Sequence, residues 1–277
     1  MNSSPRDAWR FPNRATPLGS STYYSIRFAP RRLRHDLANL LAWRQQVRAI
    51  LDEVADPSVA RLKLQWWREE LQRTYEGQPR HPLSIGLYRV LAKHALPAGP
   101  FLQITGQVEE EILRRHPADE AALIVSCERD MGALLDLMTR CHGIDDQDQL
   151  RAARTLGVFC RLVYLIRDSG VLARQGRTLL PTNQLHDHGL SVEALTQHNH
   201  RARLPELLPG MAQLAHGLFE QSRAHATLPT FARVRAELLE ALLLELEKMQ
   251  FDVAEQRIGL TPLRKLWLAW QESRRRS

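Results

Sequence analysis

One stretch of the chain limits the fold more than any other. From Leu156 to Ile166 the sequence is apolar on nearly every helical face, through Phe159, Cys160, Leu162, Val163 and Leu165. A surface helix carries one apolar stripe, so a helix that is apolar all round must be enclosed by other helices. Its polar interruptions are therefore informative. Arg161, Tyr164 and Asp168 stand at i, i+3 and i+7 and share one stripe of that helix.

Apolar residues recur at spacings of three and four along almost the whole chain, with no sustained alternation, so the expected class is all-α. The first strong helix follows Pro30 and carries Leu33, Leu37, Leu40, Leu41, Val47, Ile50, Leu51 and Val54. Asp56-Pro57-Ser58 ends it, and Ser58 is the expected cap of the next helix, which holds Trp66 and Trp67. Further helices are expected over 82–94, 99–114, 119–142, 147–172, 204–225, 229–256 and 261–274, with a short one near 192–199. No repeat or long linker divides the chain. Residues 1–19 read as a flexible lead-in and 20–277 as one helical domain.

The first helix has an anomaly. Arg48 lies seven residues after Leu41 and eleven after Leu37, on the face that the leucines bury, and Arg44 and Asp52 extend the same row. A buried unpaired guanidinium is costly, so an interior row needs partners or a ligand. The sixth long helix, with Arg161, Tyr164 and Asp168, offers a matching stripe. The expectation is that Arg48 and Arg161 form charge-assisted hydrogen bonds with Asp52 or Asp168 across a cavity.

Other signals exclude more than they assign. The formal net charge of +7 could serve an anionic surface or a phosphorylated ligand, but no nucleic-acid module accompanies it. Three cysteines without a CxxC pair fit a reducing compartment. The N-terminus lacks the apolar stretch of a secretory signal, and no apolar run is long enough to span a bilayer. The expected location is cytoplasmic, or peripheral to an inner membrane, where the run Arg274-Arg275-Arg276 would touch anionic lipid. His186, His188, His198 and His200 form two HxH pairs but lack an organising acid or cysteine, so no zinc site is expected. Glu109-Glu110-Glu111 reads as a solvated helix face. Of Trp66 and Trp67, one should pack inward and the other cover a neighbouring helix.

Three segments, SSTYYSIRFAP at 20–30, LQWWREELQRTYEGQPRHP at 64–82 and LIRDSGVLARQGRTLLP at 165–181, resemble the squalene/phytoene synthases. His188-Gly189, and Cys127 with Gly132, fall where that family's pattern has them. The resemblance implies an isoprenoid-synthase-like helical bundle around a central cavity. It also implies head-to-head joining of two prenyl diphosphates, with two Asp-rich motifs holding Mg²⁺ ions that hold the diphosphates. Carboxylates at i and i+4 project side by side, so two facing pairs can gather several hard cations.

This chain departs from the pattern at those motifs. The first is Arg48-Ala49-Ile50-Leu51-Asp52, where only Asp52 survives and a ligand position holds a permanent cation. The second is Asp168-Ser169-Gly170-Val171-Leu172, with a leucine in place of the second acid. Arg161 and Tyr164 replace the family's Gln and Asn, and Arg177 belongs to the Arg-Gly-Arg-like stretch of the third segment. A lone carboxylate is a poor Mg²⁺ site, so no cofactor is expected. A second resemblance, through residues 228–257 and 262–275, is to degenerate relatives that serve as assembly factors for mitochondrial respiratory complex I. It implies a non-catalytic assembly or scaffold protein with a respiratory-complex subunit, or a prenyl or other lipid ligand, as partner. The alternative is an active, Mg²⁺-dependent prenyl transferase of squalene/phytoene-type isoprenoid biosynthesis.

Overall fold

The computed structural model describes residues 9–224 and 228–275, and every regular element among them is helical. The longest helix, α8 (Gln147–Arg174), contains the all-round apolar stretch, and it is enclosed as expected. Around it pack α7 (Ala133–Arg140), α11 (Leu204–Ala224), α12 (Thr230–Lys248) and a π-helical turn, Glu128–Gly132. The second wall is built on α2 (Arg34–Glu53), which lies against α3 (Pro57–Tyr75), α4 (Pro82–His94) and α5 (Gly99–Ile112). Leu37, Leu40, Leu41, Val47 and Ile50 bury one face of α2 in a core continuous with that of α8.

Two details of this scaffold place the site. The stretch expected as one helix over 119–142 is interrupted: α6 (Glu120–Cys127) passes through the π-turn into α7. A side chain at Gly157 of α8 would stand 2.4 Å from the Gly132 Cα, so the two backbones touch there. Only a Gly–Gly contact permits that approach, and it holds the π-turn and its Asp130 against α8. At the other end, a Cβ on Gly170 would meet the Val253 carbonyl at 2.0 Å. The segment after α12 crosses α8 at this point.

That crossing corrects the expected helix over 229–256. α12 ends at Lys248, and Gln250 and Phe251 turn the chain at φ 50° and 55° so that Phe251 and Val253 enter the core. No Gly or Pro marks the turn; burial of two apolar side chains outweighs the left-handed strain. The cap of α3 also differs from expectation. Asp56, not Ser58, accepts the Ser58 and Val59 amides at 2.7 and 3.1 Å. Pro57 takes the first helical position, where its missing N–H costs nothing.

Two short helices were not expected as such, α1 (Ser21–Arg27) and α9 (Thr182–Asp187), while the short helix expected near 192–199 is split into a 3₁₀ turn, Ala194–Thr196, and α10 (His198–Arg201). Of the expected lead-in, residues 1–8 lie outside the described residues. Residues 9–19 are docked on α2: the Phe11 amide donates to His35 Nδ1 at 3.1 Å and Asn13 Nδ2 to the Ala38 carbonyl at 3.2 Å. Trp67 packs inward while Trp66 remains 41% exposed against it. The last helix, α13 (Pro262–Arg274), packs on α12 and α1 and leaves Leu263, Leu266, Trp267 and Trp270 exposed. Arg274 stacks on Trp270 and Arg275 pairs with Glu272, while Arg276 lies outside the described residues. No helix is long and apolar enough to cross a membrane, among the described residues.

Candidate functional site

An open cleft of about 650 Å³ lies between the α2 and α8 walls, with the start of α1, α12 and α13 closing one side. Six of the seven site residues expected from sequence line it: Arg44, Arg48, Asp52, Arg161, Tyr164 and Asp168. Arg177 stands behind its rim, reaching Asp52. Asp52 and Asp168 thus face one volume from two helices. The predicted pairings do not form, however.

Arg48 and Arg161 bind two acids that the sequence reading passed over. Arg44 grips Asp130 through both carboxylate oxygens at 2.6 and 2.7 Å. Arg48 grips Glu111 at 2.9 and 3.0 Å and touches Asp130 Oδ2 at 3.0 Å. Arg161 Nε reaches the same Asp130 oxygen at 3.0 Å and lies 3.9 Å from Glu111. Three guanidiniums therefore share two carboxylates in a nearly dry pocket, with the Asp130 side chain 1% exposed. Guanidinium suits this arrangement, since its fixed fork serves two acids at once.

The titration of the cluster follows from that geometry. Burial pushes the Asp130 carboxyl up, but the adjacent Arg44, Arg48 and Arg161 more than reverse it and hold the group well below the ordinary carboxylate range. Glu111 is likewise raised by burial and lowered further by Arg48 and Arg161, ending below its usual value. Burial lowers Arg48, and the two acids overturn this and raise it. Arg161 is less well held: burial and the repulsion of Arg48 leave it lowered. Burial pushes the nearby Cys127 thiol up to about 12, so it is an inert packing group.

Both missed acids carried a readable signal. Glu111 follows Ile104, Gln107 and Val108 at helical spacing on the buried face of α5, so of the three consecutive glutamates it alone had to point inward. Glu109 and Glu110 do face outward, pairing with Arg68 and Arg115. Asp130 stands between Cys127 and Leu134 on a buried stripe. Neither acid lies in the two motifs that the resemblance singles out, 48–52 and 168–172.

The motif acids themselves are engaged at the rim. Asp52, with a side chain 63% exposed, accepts from Arg177 at 2.5 Å. Asp168 is held by Arg167 at 2.8 and 2.6 Å and by Arg257 at 2.9 and 3.4 Å. Burial raises its carboxyl, and these two arginines bring it below the ordinary value. Arg167 also lies over the Tyr164 ring at 4.8 Å.

Magnesium, which the resemblance implies at this place, does not fit the residues present. Mg²⁺ needs several oxygens in octahedral array and repels cations. Here Asp52 and Asp168 are each bound to guanidinium, and Arg48 and Leu172 occupy the partner positions. Among the described residues no three His, Cys, Asp or Glu side chains are grouped to hold a metal, and that includes the histidines near 186–200. A second, smaller pocket lies behind Arg161 and Glu111, lined by Leu172, Arg177 and Leu179.

Comparison with known proteins agrees with the fold and the resemblance. The chain is 22% identical over 252 residues, 88% of its length and 76% of the relative's, to the mouse protein "NADH dehydrogenase (ubiquinone) complex I, assembly factor 6". It is 28% identical to "Presqualene diphosphate synthase" of Sinorhizobium fredii over 76% of this chain and 75% of that one. A solved dehydrosqualene synthase superposes with a TM-score of 0.79 at 18% identity, covering 91% of this chain and 90% of the other, so the isoprenoid synthase fold is shown. The squalene/phytoene synthase family model matches residues 16–265, and the chain belongs to the squalene/phytoene synthase family.

Proposed function

We propose that the protein is a non-catalytic member of this family that works as an assembly or scaffold factor and holds a prenyl or other lipid ligand in its cleft. One observation carries this reading: every carboxylate in or behind the cleft is bound by guanidinium, so none is free to hold a metal. The family's chemistry uses divalent cations to neutralise the departing diphosphates, and no free carboxylate pair remains here to hold one. The likeness to complex I assembly factor 6 over most of both chains supports a respiratory-complex subunit as partner. The exposed Trp267 and Trp270 beside Leu263 and Leu266, with Arg264 and Arg274 on the same helix, support contact of α13 with an anionic membrane surface.

The test is release of diphosphate from farnesyl or geranylgeranyl diphosphate with Mg²⁺ present. No turnover above background is expected. A rate that stands clear of background and disappears on Asp168→Ala would overturn the reading. It would favour the second one, an active transferase, which has its support in the presqualene diphosphate synthase likeness and in Asp52 and Asp168 facing one cleft.

A further inference from the structure

Helices α1 and α13 run side by side with their N-terminal ends together. The Lys265 ammonium donates to the Gly19 carbonyl at 3.2 Å, and a Cβ on Gly19 would stand 3.7 Å from Pro262. At the other end Tyr24 and Phe28 pack with Leu268 and Ala269 of α13. The outward sides of the two helices therefore form one surface. It is apolar where a solvated helix would be polar. Leu263 is 79% exposed, Trp267 56% and Trp270 44%, at i, i+4 and i+7 of one stripe. Leu266 lies beside them, and Leu18, next to Gly19, is 74% exposed. Single exposed leucines are ordinary, but five large apolar side chains on two adjoining segments mark a contact.

The charge beside this patch identifies what it meets. Arg27 ends α1, Arg31 and Arg32 follow in a 3₁₀ turn (Arg31–Leu33), and Arg34 opens α2. None of the four is paired with a carboxylate among the described residues; Arg34 Nε donates to the Ala29 carbonyl at 3.0 Å. Burial, and after it the repulsion of Arg27 and Arg31, lowers the Arg34 guanidinium, so cations are crowded here. The segments α1, the turn and α13 hold a single acid, Glu272, which is buried and taken by Arg233 and Arg275. Leucine and tryptophan on one helical stripe, flanked by unpaired arginine, is the composition of a helix at a membrane interface. There the leucines enter the acyl boundary, the indole rings sit at the headgroups and guanidinium meets lipid phosphate.

We propose that α1, the turn at Leu18 and α13 form one docking face that lies in the plane of an anionic phospholipid bilayer. Leu18, Leu263, Trp267 and Trp270 enter the bilayer, and Arg27 and Arg31 bind its headgroups. The proposal rests on the α13 contact given above and extends it to a second helix and its arginines, whether or not the cleft is catalytic. Ser20 and Lys265, at the shared end of the two helices, also line the cleft, so docking sets one edge of the cleft beside the bilayer.

Co-sedimentation of the full chain with vesicles tests it, one set of phosphatidylcholine alone and one containing phosphatidylglycerol. Binding to the second set is expected, falling as salt rises, with little binding to the first. Tryptophan emission should shift to the blue on binding, and Trp267→Ser with Trp270→Ser should abolish the shift. That pair should weaken binding by about tenfold or more through lost apolar burial. Arg27→Ala and Arg31→Ala should weaken it by about fivefold each. Leu62→Ser on α3, where the leucine is 71% exposed away from this face, should leave it unchanged. The substituted side chains are exposed, so the variants should fold. The proposal is overturned by no binding to the anionic vesicles, by equal binding to the neutral ones, by indifference to either the tryptophan or the arginine variants, or by an equal loss in Leu62→Ser. Loss of a protein partner in the same variants, without vesicle binding, would assign the face to that protein and overturn it too. Absence of vesicle binding removes this inference and leaves the non-catalytic reading. Prenyl turnover with Mg²⁺ removes that reading and leaves this one.

Discussion

Two regions of the cleft bury arginine in opposite ways. At the α2, α5 and π-turn side, Arg44, Arg48 and Arg161 share Glu111 and Asp130, with both oxygens of each acid engaged. At the α12 side, Arg235 is buried as deeply but, among the described residues, hydrogen-bonds only two neutral hydroxyls. The first region is electrostatically closed and gives the fold a fixed wall. The second holds a buried charge with no carboxylate beside it among the described residues. Burial of an arginine therefore does not reveal its role; whether an acid shares the pocket does.

The largest expected effect breaks the closed region. Asp130→Asn keeps the shape but leaves three guanidiniums around a single carboxylate, and should cost about 3–5 kcal/mol in denaturant unfolding. A loss near zero would mean that water already screens the cluster. The same group sets a pH dependence. Its folded carboxyl lies below the unfolded value, so its contribution is full above the unfolded value of about 4 and is lost as pH falls toward the folded one. The acid limb of the stability profile, below about pH 5, should be shallower in Asp130→Asn than in the parent.

The α12 side should respond in the opposite sense. Arg235→Met removes an unpaired charge and keeps an unbranched chain of similar length, so without ligand the protein should be unchanged or up to about 1 kcal/mol more stable. A loss of several kcal/mol in thermal unfolding would show that the two hydroxyls already satisfy Arg235, and the contrast between the two corners would disappear. The smallest effect belongs to the rim. Asp52→Ala removes a mostly exposed acid with one partner, Arg177, and should cost less than about 0.5 kcal/mol. A cost comparable to that of Asp130→Asn would restore Asp52 to the structural centre where the sequence reading placed it.

The fold is largely legible in the sequence. The helical class, the enclosure of α8 and the inward-facing Arg44 and Arg48 all follow from spacing, because burial of an apolar face is a local, periodic property, whereas Asp52 at the end of that row reaches the rim. The missed features share another cause. The end of α12 at Lys248 has no local punctuation and depends on Gly170 admitting the Val253 backbone. The π-turn that presents Asp130 depends on Gly132 meeting Gly157.

The same division runs through the site. Sequence alone determined that the chain is helical, that guanidinium and leucine stand where a metal-binding pattern has acids, and that Arg48 and Arg161 must find partners inside. It could not decide which acids those partners are, because Glu111 and Asp130 lie 63 and 31 residues away from Arg48 and Arg161 respectively. Helical periodicity states which face of each helix is buried, but not which two faces meet. Only the packing of α2, α5, the π-turn and α8 brings those charges within 3 Å of one another. The same packing leaves Arg235 without an acid among the described residues, since an ion pair requires two side chains from distant segments to reach one point and only tertiary structure sets that distance.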